Sequence, residues 1–331
     1  MEKIVVIGSN SFSGSDFVDY ALSETNCEIH GISRSPEKPS LFLPYKQNRE
    51  QHRFSFHQMD LNKDMAKVKS LLTDLKPEYI INFAAQSEVG PSWDYPEQWF
   101  STNAVAIAAL GNYLKDQHWL KKYVHISTPE VYGTFEGVVK EDALLNPSTP
   151  YAASKAAGDL MLFTISKNFD FPLVMIRSTN VYGAHQQLFK IIPRSVIYLK
   201  SRRIIGLHGG GSAVKSFIHI RDISRAELLS MFHGKNGEIY HLSPDGSGIA
   251  ISDLVRRVCD LMGNDFASST TSVLERTGQD KAYVIDSSKA RLELNWEPTI
   301  SLDDGIKSVI NWIENNWQEI QAHPLEYIHK P

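Results

Sequence analysis

Residues 3–14 read KIVVIGSNSFSG, and this stretch decides the fold class. Ile4, Val5, Val6 and Ile7 form a compact apolar run, the composition of a strand buried on both faces. Gly8 follows at once, then Ser9, Asn10, Ser11, Phe12, Ser13 and Gly14, after which Phe17–Leu22 fits the first turns of a helix. A strand that enters a helix through a turn of glycines and small residues brings a helix N-terminus up to a pyrophosphate. Two of the three customary glycines are present and Ser11 takes the middle place, so the motif is weak alone. Its position on the first strand of an α/β pattern gives it meaning.

That pattern continues outward. Glu28–Ile32 and Phe54–Gln58 read as the second and third strands, and Met65–Leu75 carries apolar residues at helical spacing. Ile80, Ile81, Phe83, Ala84 and Ala85 read as a fourth strand, Ala104–Leu114 as a helix, and Tyr123–Ser127 as a fifth strand. A helix near Tyr151–Ser166 and a strand at Leu173–Arg177 follow. Alternation of nearly all-apolar strands with helices predicts α/β architecture: a doubly wound parallel (Rossmann) sheet, with ligands beyond the carboxyl ends of its strands. After Asn180 the rhythm breaks into loops rich in Gly, Arg and Lys, with helices expected at Ser252–Met262 and Leu302–Asn315. The division expected is a dinucleotide-binding domain over 1–180, rejoined by about 215–242, and a smaller α/β substrate lobe formed mainly by 181–331.

The 331 residues can bury a large core, and 42% apolar with 22% charged residues fits an ordinary globular protein. A net charge of −4, with acids and bases interleaved, argues against nucleic acid as the main partner. Cys27 and Cys259 match no metal or redox spacing, so a reduced, cytoplasmic setting and no metal are expected. The N-terminus runs straight into a strand pattern without a signal-peptide profile, and no apolar run has membrane-spanning length, so no membrane is expected as partner.

The second strand leads into Ser33-Arg34-Ser35 without the acid that pairs with the ribose 2′-hydroxyl of NAD. An arginine between two hydroxyls suits a 2′-phosphate, which favours NADP, with NAD as the alternative. Gly8, Ser11, Phe12, Ser13, Gly14, Ser33 and Arg34 form the first part of the cofactor set. Asp60 and Leu61, after the third strand, are placed to meet the adenine. Ala84, Ala85 and Gln86, after the fourth, are placed along the phosphates and ribose, and Asn103 joins them.

Tyr151-Ala152-Ala153-Ser154-Lys155 sets a phenol and an ammonium four residues apart, on one helix face. A cation there lowers a tyrosine's pKa from about 10, so the phenolate can take a hydroxyl proton while hydride leaves the carbon. The spacing arises often by chance and gains value from following a mononucleotide-binding half. HISTPEVYG at 125–133 lies one strand earlier and supplies Thr128 and Glu130.

GSNSFSG, NFAAQSEV, STPEVYG, PYAASKAAGD and RSTNVYG, in this order, resemble the extended short-chain dehydrogenase/reductases, and within them the nucleotide-sugar 4,6-dehydratases. HGISRS and NFAAQSEV are similar to the GDP-mannose branch, and residues 276–298 to the dTDP-glucose branch. The resemblance implies that Thr128 bonds the sugar's 4-oxygen, that Glu130 removes the C5 proton, and that Tyr151 and Lys155 run the redox step with Tyr151 and Lys155 also touching the cofactor. It implies a nucleotide-diphospho-sugar substrate held by Ser87, Glu88, Thr128, Glu130, Asn180, Lys190, Lys215, Arg276 and Asp280. It implies a homodimer through the helices of 104–114 and 151–166.

Two positions depart from that family. Pro129 stands where an aspartate often protonates the leaving 6-hydroxyl, and proline has no donor. Glu88 stands where a histidine is frequent. The leaving-group proton is left to Glu130 itself, a water, Glu88 or His185. The reading is a lyase in which C4 is transiently oxidised, C5 deprotonated and water lost from C6. The alternatives are a nucleotide-sugar epimerase, which needs no leaving-group acid, and a 5,6-dehydratase that leaves an alkene.

Overall fold

The computed structural model describes residues 1–134, 137–274 and 284–330. Seven parallel strands form the central sheet: β1 (Lys3–Ile7), β2 (Glu28–Ser33), β3 (Phe54–Gln58), β4 (Tyr79–Asn82), β5 (Lys122–Ile126), β6 (Leu173–Ser178) and β7 (Glu238–Leu242). Their spatial order is β7-β6-β5-β4-β1-β2-β3, with every neighbouring pair parallel. The doubly wound sheet expected from the alternating pattern is what the chain builds.

Side-chain alternation explains the two covered faces. Ile4 and Val6 point into one cluster with Phe17, Val18 and Leu22 of helix α1 (Phe12–Glu24). Val5 and Ile7 point into the opposite cluster with Val68 and Leu72 of α2 (Met65–Leu75), Leu110 of α3 (Ala106–Leu114) and Leu162 of α4 (Pro150–Phe169). The four apolar residues of β1 are at most 1% exposed, which is why the run is apolar without alternation. A third cluster is built by Ile192 and Val196 of α5 (Ile191–Lys200), Leu254 and Val258 of α7 (Ile251–Leu261), and Ile306 and Val309 of α8 (Leu302–Asn315). Between these segments the chain returns to the sheet: α6 (Ile220–His233) packs on α1, and β7 extends the edge beside β6.

Two elements differ from the sequence expectation. The fourth strand stops at Asn82, because the Asn82 side chain accepts the Ala84 N–H at 3.0 Å and turns Ala84 and Ala85 out of the ladder. The helix expected from Ala104 is preceded by a π turn over Ser101–Val105, and its buried Asn103 serves the site below.

Candidate active site

The sheet order reverses between β4 and β1, and the chain beyond the carboxyl ends of β1, β2, β4 and β5 carries Gly8, Arg34, Gln86 and Thr128 in turn. Gly8 lies at φ +87°, and a Cβ on it would meet the Ala84 nitrogen at 2.7 Å. A Cβ on Gly14 would sit 2.4 Å from the Gly8 carbonyl. The two glycines therefore keep a backbone cradle open at the start of α1. Ser11 caps that helix, its hydroxyl accepting the Gly14 N–H at 3.0 Å. A dinucleotide pyrophosphate fits this cradle chemically, since it offers backbone donors and excludes side chains. Phe12 is buried beneath the cradle and Ser13 lies in the first helical turn.

Ser33 is turned inward, accepting the Asn10 N–H at 2.9 Å, so its hydroxyl ties the glycine turn to β2. Arg34 reaches the carbonyl of Lys330 at 2.9 Å, and Gln86 donates to the same oxygen at 3.0 Å. Residues near the C-terminus thus cross the ends of β2 and β4. His329 stacks on Tyr95 and Trp99, with centroids 4.9 and 5.5 Å away, and bonds Gln98 at 2.8 Å. Sequence reasoning missed this contact, because nothing local in the tail announces its partners. Asp60 holds the turn after β3 by accepting the Asn62 N–H at 2.8 Å, and Leu61 is buried beside it. Asn103 fixes the Gln86 backbone with two 2.9 Å bonds and donates a third to Ser154 Oγ. The π turn therefore locks the loop after β4 to the helix that carries Tyr151.

Thr149 caps α4, accepting the Ala152 N–H at 3.1 Å, and Pro150 fills the first helical position. Tyr151 and Lys155 stand one turn apart and are both buried. The Thr128 hydroxyl bonds the Tyr151 phenol, and the charges of Glu130 and Glu88 both bear on it. Thr128 also accepts the Glu130 N–H at 3.2 Å, which begins the short 3-10 turn over Pro129–Tyr132. Thr128 thus contacts the Tyr151 phenol, and the carboxylates of Glu130 and Glu88 act on it through their charge.

The Tyr151 phenol is pushed above its ordinary value, chiefly by burial and then by the Glu130 charge. That differs from the lowering expected from Lys155. Its ammonium donates to the Ile126 carbonyl at 2.8 Å and is itself pushed down to about 8, mainly by burial. Asp159 opposes that drop and Arg177 adds to it. Asp159 lies one turn past Lys155 and accepts from Ser127 at 2.6 Å and Arg177 at 2.8 Å. His125 completes this buried layer, 3.4 Å from Lys155 Nζ, and burial keeps it neutral. Sequence reasoning passed over Asp159, although the four-residue spacing Tyr151, Lys155, Asp159 marks one helix face.

On the opposite wall, Lys190 pairs with Glu88 at 2.6 Å, bridging the loop after β4 and the start of α5. Asn180 is held against the Ser216 carbonyl at 3.1 Å, and Ser87 is exposed nearby in sequence to Glu88. Lys215 lies in a two-residue strand paired with Ile249–Ala250. Arg276 and Asp280 lie outside the described residues. His185, one option for the leaving-group proton, is placed elsewhere: its Nδ1 is 2.7 Å from the Leu41 carbonyl and its ring packs on Trp312. That option is withdrawn, because both contacts belong to the packing around α8.

The GDP-mannose 4,6 dehydratase family model matches residues 5–309, and the chain belongs to that family. A dTDP-glucose 4,6-dehydratase of Streptomyces niveus is 31% identical over 255 residues, 76% of this chain and 75% of its own. The solved dTDP-glucose 4,6-dehydratase of Streptomyces venezuelae, with NAD and TYD bound, superposes with a TM-score of 0.87 at 28% identity, covering 96% of this chain and 98% of its own. A UDP-glucuronic acid 4-epimerase of Bacillus cereus, in complex with UDP-glucuronic acid and NAD, gives 0.84 at 27% identity, covering 95% and 99%.

Proposed function

We propose that this chain is a nucleotide-sugar 4,6-dehydratase that works through a bound nicotinamide dinucleotide. The observation that carries the reading is the cluster of Thr128, Glu130 and Tyr151 at the end of β5, with Lys155 one turn below. When bound, a nicotinamide would supply the hydride acceptor for oxidation at C4 and the hydride donor for reduction at C6. Tyr151 Oη takes the O4 proton as C4 becomes a ketone, and the Thr128 hydroxyl holds that oxygen in line. The ketone acidifies C5–H, and the Glu130 carboxylate removes that proton. Lys155, cationic below about pH 8, stabilises the tyrosinate as it forms.

Gly8, Ser11, Gly14, Arg34 and Gln86 would hold the dinucleotide, with Asp60 and Leu61 toward the adenine. The absence of an acid at 33–35 favours NADP, and the dinucleotide released from purified protein decides it against NAD. Asn180, Lys190 and Lys215, with Arg276 and Asp280 by resemblance, would hold the nucleotide diphosphate. Residues 1–180 and about 215–242 would form the dinucleotide domain and the rest mainly the substrate lobe, in a cytoplasmic homodimer.

Pro129 supports one rival, an epimerase, since inversion at C4 or C5 needs no acid at O6. Incubation with dTDP-glucose and UDP-glucose separates the two. A 6-deoxy-4-keto product is expected, whereas an inverted sugar that keeps its 6-hydroxyl would replace this reading by the epimerase. An alkene between C5 and C6 would mark the 5,6-dehydratase.

A further inference from the structure

Hydroxide is a poor leaving group, so loss of the 6-hydroxyl from a 4-keto sugar needs a proton on that oxygen. Among the groups that bear on Tyr151, Thr128 is engaged with the phenol, and Glu130 is assigned above to the C5 proton. Pro129 offers no donor. Asp159 also bears on the phenol, but it lies fully buried beneath it, bonded to Ser127 and Arg177. Glu88 remains. It sits after β4, the strand next to β5, so the two carboxylates enter the site from adjacent strand ends. Its side chain is 23% exposed, open to a ligand rather than locked into the core.

We propose that Glu88 is the acid that protonates the leaving 6-hydroxyl, and that the substrate's diphosphate arms it by drawing Lys190 away. This rests on the dehydratase reading above. Without substrate, the 2.6 Å pair with Lys190 occupies the Glu88 carboxylate. A nucleotide diphosphate carries two negative charges and competes for that ammonium. Freed of that partner, the Glu88 carboxyl is available to carry a proton to O6. Glu88 and Lys190 come from segments 102 residues apart, so the acid forms only when the nucleotide half of the substrate is seated.

The step balances. Glu130 removes the C5 proton, and the electron pair left behind forms the C5–C6 double bond. The C6–O6 bond breaks, its electrons go to O6, and the Glu88 proton makes the departing group water. As C6 is then reduced, Glu130, its proton exchanged with solvent, protonates C5, and Glu88 is left as a carboxylate for the next turnover.

The test compares the wild type with Glu88→Gln on dTDP-glucose and on its 6-deoxy-6-fluoro analogue, since fluoride departs without a proton. At saturating substrate, Glu88→Gln is expected to lower the rate of water loss about 100- to 1,000-fold while fluoride release stays within a few-fold of wild type. Normal fluoride release also shows that the variant is folded and binds both ligands. Glu88→Asp, which keeps a transferable proton, regains part of the lost rate. Equal slowing with both leaving groups, undiminished water loss, or identical behaviour of the Gln and Asp variants overturns the assignment. A wild type that releases neither water nor fluoride overturns the dehydratase reading itself, and this assignment with it.

Discussion

At the scale of single residues, the site depends on a phenol that burial holds protonated and an ammonium that burial pushes toward release. Tyr151→Phe removes the group proposed to take the O4 proton, so kcat is expected to fall about 100- to 10,000-fold with dinucleotide binding retained. Steady-state rates and a dinucleotide titration check both halves. The cationic form of Lys155 is needed, so activity falls as pH rises through about 8. Asp159→Asn removes the carboxylate that holds the ammonium charged, and it moves that fall to lower pH in a pH–rate profile. Thr128, Glu130, Tyr151 and Lys155 could be nominated from sequence because their motifs are contiguous. The layer beneath was not: Asp159 meets Ser127 and Arg177 from 32 and 18 residues away, and local sequence carries no trace of such pairings.

At the scale of elements, the glycine turn positions everything else. Gly8→Ala forces a side chain onto the Ala84 backbone at a left-handed φ, and Gly14→Ala drives one into the Gly8 carbonyl. Each is expected to cost more than about 1 kcal/mol of stability and to weaken dinucleotide binding, read by thermal melting with and without the dinucleotide. β3 and helices α2 and α8 begin and end where apolar spacing places them, and the two helices each bury one face. The misplaced boundaries lie at Asn82 and at 101–105, where a side-chain bond and a π turn override the apolar pattern. The tail contact with Arg34 and Gln86 was illegible for the same reason as the buried layer, since a backbone carbonyl at Lys330 has no sequence signature.

At the scale of the molecule, the helices over 101–114 and 150–169 leave Val105 66% and Leu160 57% exposed, with Phe100 also on the surface. Apolar side chains on adjacent helices fit burial against a second copy. Val105→Glu is expected to convert a dimer to a monomer by light scattering at micromolar concentration, and an unchanged mass would place the contact elsewhere. The fold class was legible from the first strand and turn, but the sugar was not. Glu88 and Lys190 pair across 102 residues, and local sequence does not announce such a contact. The central claim is C5 chemistry followed by loss of the 6-hydroxyl, and one measurement reaches it directly. The protein with its dinucleotide is incubated in D₂O with nucleotide-diphospho-hexoses and followed by NMR. A 6-deoxy-4-keto sugar with deuterium at C5 is the predicted product. A sugar inverted at C4 or C5 that retains its 6-hydroxyl would contradict the account.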